Sequence, residues 1–183
     1  MPHRLETQTT PVYLSRKPWN AARPHILVIA CSDGRIQENV DDFLHNHLGI
    51  DSYDRMYMPG GPGALSQSGH ELLRADLWRR ESDFLVTAHA VEQVILLFHA
   101  AAPDGPIEAN CADYKRKLPA MSAGECREIQ VDDTLDVLNR VFDVYPNVRI
   151  YAYRAEVKRD GQVQFINLLK TQYQTLNQTE PQA

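Results

Sequence analysis

The fold of this chain is decided by the stretch His25-Ile26-Leu27-Val28-Ile29-Ala30-Cys31-Ser32-Asp33-Gly34-Arg35-Ile36. Five consecutive apolar residues follow a proline and lead, without polar alternation, into a turn that contains glycine. Such a run is typical of a strand buried on both faces of a parallel sheet. The thiol, carboxylate and guanidinium that follow are therefore predicted at the carboxyl edge of the sheet, where α/β proteins bind ligands. The alternative interpretation is a buried structural thiol followed by a polar turn.

Apolar runs and apolar residues at helical spacing alternate along the rest of the chain. Further strands are predicted at residues 54–58, 93–98 and 148–153, and Asp160-Gly161 predicts a hairpin before a last strand at 163–166. Helices are predicted at 36–48, in a long segment after residue 66 and at about 132–144, and the long helix is predicted to pack through Leu73, Leu77, Phe84, Ala88 and Val91. This alternation predicts an α/β fold with a mainly parallel central sheet flanked by helices.

The chain has 183 residues, which is the length of one domain with a substantial core. Residues 1–24 contain four prolines and no regular period, so they are predicted to form an extended arm. Residues 25–169 are predicted to form a single α/β domain, and residues 170–183 a polar, glutamine-rich tail.

Composition excludes several functional classes. The net charge of −5 argues against nucleic acid as a partner, and the longest basic run, Lys115-Arg116-Lys117, is predicted to be a solvated helix face. No apolar segment approaches the roughly 20 residues that span a bilayer, and the first residues do not form a signal sequence. We therefore expect a cytoplasmic protein without a membrane partner. Three cysteines, an odd number, favour metal binding or burial over a disulfide framework.

A glycine-rich loop precedes the long helix. It reads Pro59-Gly60-Gly61-Pro62-Gly63-Ala64-Leu65-Ser66. Free backbone N–H groups at a helix amino terminus can hold an anion, so Gly60, Gly61 and Gly63 are predicted to form an anion or substrate loop. The loop lacks the Lys-Ser/Thr pair of a nucleotide P-loop and the spacing of a dinucleotide fingerprint.

The string Cys31-Ser32-Asp33-Gly34-Arg35 resembles the zinc-binding signature of the β-class carbonic anhydrases, Cys-Ser-Asp-(Ser/Gly)-Arg. The resemblance implies a β-carbonic-anhydrase-like fold in which Cys31 binds zinc and Asp33 pairs with Arg35. It further implies His99, which follows the third apolar strand, as a second ligand. The family's Gly-His-x-x-Cys motif would place the third ligand at Ala102, and Cys111 follows nine positions later. We interpret this spacing as an insertion that returns Cys111 to the site as the third ligand.

Alternatives for completing the metal site remain open at this point. His89 with Glu92 also fits a His-x-x-ligand spacing, and zinc accepts carboxylate oxygen. In some members of the family the aspartate equivalent to Asp33 closes the site by binding the metal itself. A thiolate-rich site also accepts cobalt or iron. Cys126 is flanked by charged residues and is interpreted as a bystander.

The function implied by the resemblance is a zinc-dependent lyase that hydrates carbon dioxide reversibly to bicarbonate by zinc-bound hydroxide. The family's Arg-Asn-Ala-Gly turn is not matched at the glycine-rich loop, since the arginine and asparagine are missing. One alternative is therefore a metal- or anion-binding protein of the same fold without turnover. Another is a hydrolase of carbonyl sulfide or carbon disulfide, with Asp113 and Tyr114 as pocket candidates. The resemblance also implies a homodimer or higher homo-oligomer, with the arm before residue 25 reaching a neighbouring subunit.

Overall fold

A computed structural model describes residues 11, 13–68 and 72–169 of the chain. The predicted tail at 170–183 lies outside the described residues, as does most of the first half of the predicted arm. The described residues between positions 13 and 25 form neither helix nor strand.

In the described part of the chain, five strands form a single sheet. They are β1 (Ile26–Cys31), β2 (Asp54–Met58), β3 (Gln93–Ala101), β4 (Arg149–Val157) and β5 (Val163–Asn167). Their order across the sheet is β2-β1-β3-β4-β5, with parallel pairing from β2 to β4 and an antiparallel β5 at the edge. The predicted mainly parallel α/β sheet and the predicted hairpin at Asp160-Gly161 are therefore confirmed.

Within residues 13–68 and 72–169, four helices connect the strands: α1 (Gln37–Asp42), α2 (Leu72–Ala88), α3 (Ala112–Lys117) and α4 (Ala123–Val137). Helices α1 and α4 each continue into a π-helical turn, at Phe43–His47 and Leu138–Phe142, and short 3-10 turns lie at Gly61–Ala64 and Ile107–Ala109. No helix in the described part of the chain has both the length and the apolar character that crossing a bilayer requires.

The sheet separates two apolar layers. Alternate residues of β1 point to opposite sides, so Leu27 and Ile29 join one layer while Val28 and Ala30 join the other. The first layer contains residues of α2 and α4, and the second contains residues of α1 and its π-helical turn. Burial on both faces explains why β1 and β3 have continuous apolar runs.

The predicted inward face of α2 is wrong. Leu73, Leu77 and Phe84 are 87%, 53% and 60% exposed, and the buried residues of this helix are Ala75, Ser82 and Val86. Helical spacing shows which apolar side chains share a face, but it does not show whether the sheet or another surface covers that face.

Helix α4 begins nine residues before its predicted start at residue 132. Ser122 accepts a hydrogen bond from the Glu125 N–H, and the Glu125 carboxylate accepts one from the Ser122 N–H, which forms a capping box. This local signal lies in a polar segment, so apolar spacing alone did not reveal it.

Candidate metal centre

Cys31 is the last residue of β1 and lies at the carboxyl edge of the sheet. Its side chain is buried, and the next residue, Ser32, continues the pairing with β2 by donating its N–H to the Met58 carbonyl. The side chain of Gln37 donates to the carbonyls of Cys31 and Asp33, which holds the turn after the strand. Cys31 therefore lies at the carboxyl edge of the sheet, as the sequence predicted.

His99 lies on β3, which is adjacent to β1 in the sheet. Ala30 of β1 is in register with Leu97 of β3. Cys31 follows Ala30 by one residue and His99 follows Leu97 by two, so both lie near the same end of adjacent strands. The strand continues past His99 to Ala101, three residues beyond the predicted strand end at residue 98. The imidazole is buried, and its Nδ1 hydrogen-bonds the carbonyl of Ala109 at 3.1 Å, which leaves Nε2 directed into the site.

Cys111 returns to the same edge through the segment between β3 and α3. The Asn110 side chain accepts from the Ala101 N–H, and Cys111 itself is the N-cap residue of α3. Its Sγ atom lies 3.7 Å from the Sγ of Cys31. The two sulfur atoms and one ring nitrogen of His99 all lie within 4.8 Å of one another.

This donor set fits a borderline-soft metal ion. Two sulfurs and an imidazole nitrogen suit zinc, whereas magnesium and calcium prefer oxygen ligands. The Nε2 atom of His99 is buried and has no hydrogen-bond partner among the described residues, which is consistent with a ligand role. Among the residues that the structure describes, these form the one group of three or more histidine, cysteine and carboxylate side chains close enough to share an ion.

Asp33 and Arg35 form an ion pair beside the three donors. The guanidinium donates to both carboxylate oxygens, at 2.5 Å from Nη2 to Oδ2, and its Nη1 donates to the carbonyl of Glu108. Asp33 Oδ2 lies 3.9 Å from His99 Nε2. The hydrogen bonds from Arg35 lower the pKa of Asp33 to about 2, so this carboxylate is ionised at neutral pH.

The two thiols have opposite electrostatic environments. A hydrogen bond with Cys111 lowers the pKa of Cys31 to about 7, assisted by the backbone N–H groups of Asp33 and Gly60, although burial opposes the shift. The same contact with Cys31, together with burial, raises the pKa of Cys111. Burial lowers the pKa of His99, but the neighbouring Cys111 and the charge of Asp33 outweigh it and raise that pKa.

The glycine-rich loop packs against the site and not at the start of α2. Gly60, Gly61 and Gly63 are buried, and the described residues that follow the 3-10 turn, 65–68, are not helical. A Cβ atom on Gly61 would lie 2.8 Å from the backbone nitrogen of Cys31, and one on Gly60 would overlap the Asp113 carboxylate. The described contacts of these glycines are therefore with the chain's own backbone and side chains, and Gly60 donates toward the sulfur of Cys31.

The rival ligands lie elsewhere. Glu92 precedes the first residue of β3, at the opposite edge of the sheet from Cys31. His89 follows α2, where its ring contacts Asp54 at 2.7 Å and Arg23 at 2.9 Å. Cys126 is a free, fully buried thiol of α4 that contacts Gln130.

Two partners of the site were not predicted from the sequence. The carbonyls of Ala109 and Glu108 orient His99 and Arg35, respectively. Since a backbone carbonyl has no residue-specific signature, no motif could have revealed them. The fold and the three donors thus define an α/β protein with a candidate metal centre at the carboxyl edge of a parallel sheet.

Comparison with solved structures finds similar folds. The chain is similar to a β-carbonic anhydrase, isoform I, from Trichomonas vaginalis, with 14% identity over 84% of this chain and 88% of that one, at a TM-score of 0.47. It is also similar to one of two tetrameric β-carbonic anhydrases from Sordaria macrospora, with 15% identity over 79% and 81% of the two chains and a TM-score of 0.46.

A third similar structure is the apo form of a carbon disulfide hydrolase, with 14% identity over 88% of this chain and 87% of that one, at a TM-score of 0.42. No protein-family model and no curated protein matches the chain. Identities and TM-scores of this size mark a distant likeness, so the function has to be inferred from this chain's own side chains.

Proposed function

We propose that this protein is a zinc-dependent carbonic-anhydrase-like lyase that hydrates carbon dioxide reversibly to bicarbonate. The observation that carries the proposal is the convergence of Cys31, His99 and Cys111 within 4.8 Å, beside the ion pair of Asp33 and Arg35. Three protein donors leave one position of a tetrahedral ion open, which distinguishes catalytic from structural zinc sites.

The three donors would hold the ion, and their hydrogen bonds prepare them for it. A zinc ion supplies a Lewis acid that makes water nucleophilic near neutral pH. The Ala109 carbonyl fixes His99 with Nε2 toward the site, because Nδ1 carries the proton donated to that carbonyl. The lowered pKa of Cys31 favours the thiolate, which is the form that binds a metal.

Asp33 is the hydrogen-bond acceptor of the proposed site. Its carboxylate is kept ionised and oriented by Arg35, whose guanidinium is in turn anchored on the Glu108 carbonyl. An ionised, fixed carboxylate can orient a water molecule and accept its hydrogen bond, but it cannot take up the proton at neutral pH. The proton released by the reaction therefore has to leave through solvent or buffer.

The proposal is tested by measuring bound zinc per chain and carbon dioxide hydration in four proteins. These are the wild type, Cys111→Ser, Glu92→Gln and, as the matched control, Cys126→Ser, which alters another buried thiol. We expect the wild type, Cys126→Ser and Glu92→Gln to contain zinc and to turn over, and Cys111→Ser to lose both.

Other outcomes select the alternatives. A full zinc content without hydration from neutral to alkaline pH contradicts the lyase and supports a metal-binding protein without turnover. Release of sulfide from carbonyl sulfide or carbon disulfide by such a preparation supports the hydrolase. Loss of zinc in Glu92→Gln, with zinc retained in Cys111→Ser, would assign the metal to the rival ligands.

We also propose a homodimer as the functional form. The exposed apolar side chains Leu73, Leu77 and Phe84 form one face of α2, and Trp19 of the preceding segment is 87% exposed. An exposed apolar helix face of this kind is typical of an interface between chains. A second copy offers the same surface, so a two-fold arrangement would cover both faces together.

A reducing compartment, the cytoplasm, is the proposed location. All three cysteines are free and buried, and two of them are needed as thiols for the proposed metal site. Reducing conditions keep such a pair available for a metal, whereas oxidising compartments favour disulfides.

A further inference from the structure

A buried polar network lies behind the candidate metal centre and is made of side chains that do not contact the ion site. Tyr114 is fully buried, and its hydroxyl donates to Oδ2 of Asp133 at 2.5 Å. Lys117 places its ammonium 3.5 Å from the same oxygen and 4.7 Å from the centre of the Tyr114 ring. The predicted solvated face at residues 115–117 is therefore wrong for Lys117, whose side chain is only 13% exposed.

The network holds the helix that carries the second sulfur. Cys111 is the N-cap residue of α3, and Tyr114 and Lys117 both lie on this helix of six residues. So short a helix has little stability of its own, and its position depends on tertiary contacts. The hydroxyl bond to Asp133 fixes α3 on α4, and with it the position of the Cys111 thiol.

The same network holds the loop that contacts the first sulfur. Lys117 donates to the carbonyl of Gly63 at 2.9 Å and to the hydroxyl of Ser68 at 3.1 Å. A Cβ atom on Gly63 would overlap the Tyr114 hydroxyl and would lie 2.9 Å from Asp133 Oδ2, so the loop rests directly on the network. Gly60 of this loop is the residue whose N–H points to the sulfur of Cys31.

The third donor is also attached to α4. Gln130, one helical turn before Asp133, donates from its side chain to the carbonyl of His99 at 2.9 Å. Both Gln130 and Asp133 are buried. One helix is therefore joined to the strand that carries His99, to the helix that follows Cys111 and, through Lys117, to the loop that contacts Cys31.

We propose that Asp133, Tyr114 and Lys117 are positioning residues that fix the separation of the two sulfur donors before a metal binds. This inference rests on the proposed metal site and assigns it a supporting layer. Burying an ion pair costs desolvation energy that its attraction only partly offsets, so such a pair adds little net stability. A fixed outer layer, by contrast, raises metal affinity because the donors lose less freedom on binding.

The test compares Tyr114→Phe with Ser82→Ala. Each variant deletes one buried hydroxyl, but Ser82 lies on α2 and donates to the Trp78 carbonyl of its own helix. A third variant, Lys117→Gln, shortens the side chain that reaches the loop and removes its charge. It tests the network independently, in case Tyr114→Phe fails to fold. The readouts are the Zn²⁺ dissociation constant, from competition with a chromophoric chelator, and the absorption spectrum of the Co²⁺-loaded protein.

We expect Tyr114→Phe and Lys117→Gln to raise the Zn²⁺ dissociation constant about 10-fold and to shift the Co²⁺ ligand-field bands. Ser82→Ala should leave both readouts unchanged even where its melting temperature falls. If the wild type binds metal and both network variants keep its affinity and its spectrum, this inference is wrong but the proposed function is not contradicted. A wild type that binds neither Zn²⁺ nor Co²⁺ overturns the proposed function as well.

Discussion

At the scale of single residues, the two sulfur donors show how position sets the chemistry of one residue type. The contact with Cys111 and the backbone N–H groups of Asp33 and Gly60 lower the pKa of Cys31 to about 7, whereas the contact with Cys31 and burial raise the pKa of Cys111. Both thiols are buried, so burial alone would have raised both pKa values. The two thiols differ in their backbone partners, because the N–H groups of Asp33 and Gly60 stabilise the thiolate of Cys31 and no such group among the described residues lowers the pKa of Cys111.

Asp33→Asn tests the proposed acceptor. The amide keeps the size of the carboxylate but loses its charge and its ion pair with Arg35, so a water molecule in the site would lose its orienting acceptor. We expect carbon dioxide hydration to fall about 100-fold, while the zinc content stays that of the wild type. Stopped-flow hydration and metal analysis measure the two quantities.

The control for this variant is Asp51→Asn, which alters an exposed carboxylate away from the site and should leave hydration unchanged. Full activity in Asp33→Asn would remove Asp33 from the proposed mechanism. Loss of zinc together with activity would instead indicate that Asp33 takes part in holding the metal.

Gly63→Ala tests the close approach of the loop to the buried network. The added methyl group would overlap the Tyr114 hydroxyl, so either the loop or the tyrosine has to move. We expect the free energy of unfolding to fall by about 3 kcal/mol. Urea unfolding measures the change.

Gly124→Ala is the matched control for Gly63→Ala. The position lies in α4, and the nearest atom to an added Cβ is 3.8 Å away, so the methyl group fits. Alanine is the better helix former, and we expect an increase of up to about 1 kcal/mol. Equal effects of the two substitutions would contradict the tight packing at Gly63.

At the scale of elements, Asp136 joins α4 to the segment after the glycine-rich loop. Its carboxylate accepts from the Gln67 N–H at 2.9 Å and from the Arg140 side chain. Burial raises the pKa of Asp136, but these hydrogen bonds and one from Ser66 outweigh it, so the pKa is lowered overall. This link fixes Gln67, which follows the glycine-rich loop beside the metal centre.

A lowered pKa in the folded state has a defined consequence for stability. The contribution of Asp136 is fully present above the pKa of an unfolded aspartate, ~3.9, and it is lost as the pH falls through the lower, folded value. We expect Asp136→Asn to reduce the free energy of unfolding by about 1 kcal/mol at neutral pH. The difference from the wild type should shrink at acid pH, as measured by urea unfolding at a series of pH values.

Asp132→Asn provides the comparison, because Asp132 is exposed on the same helix. Its effect should be small at every pH. A deficit in Asp136→Asn that stays constant down to acid pH would show that the carboxylate acts through its shape and not through its charge.

At the scale of the whole molecule, the exposed apolar face of α2 is the feature that one chain leaves uncovered. Leu73 and Leu77 are four positions apart and lie on the same side of the helix. Their exposure costs free energy in an isolated chain, and a second copy packed on this face would remove that cost.

Leu73→Glu combined with Leu77→Glu tests the dimer. Charges on this face would be desolvated in the interface, so we expect the wild type to be dimeric and the double variant monomeric in sedimentation equilibrium. Val144→Glu alters an apolar residue that is 70% exposed outside α2, and it should remain dimeric. A monomeric wild type, or a double variant that stays dimeric, would contradict an interface on α2.

The sequence by itself determined the elements whose signal is local. Continuous apolar runs identified β1 and β3 as central strands, because a strand covered on both faces has no polar alternation. Gly49, which follows the first predicted helical segment, adopts a φ of 70°, which glycine tolerates. The string from Cys31 to Arg35 placed a thiol and an ion pair at the carboxyl edge, since parallel strands present that edge to ligands.

The tertiary structure alone decided which distant groups meet. The contact between Cys31 and Cys111 depends on the path of the segment after β3, and backbone carbonyls with no sequence signature hold that path. The exposure of α2 and the burial of Lys117 were likewise decided by packing, because periodicity and charge describe a helix without naming its neighbours. Short-range sequence patterns thus determined the strands and the turn after Cys31. The packing of α3 and α4 on the sheet determined which residues form the candidate metal centre.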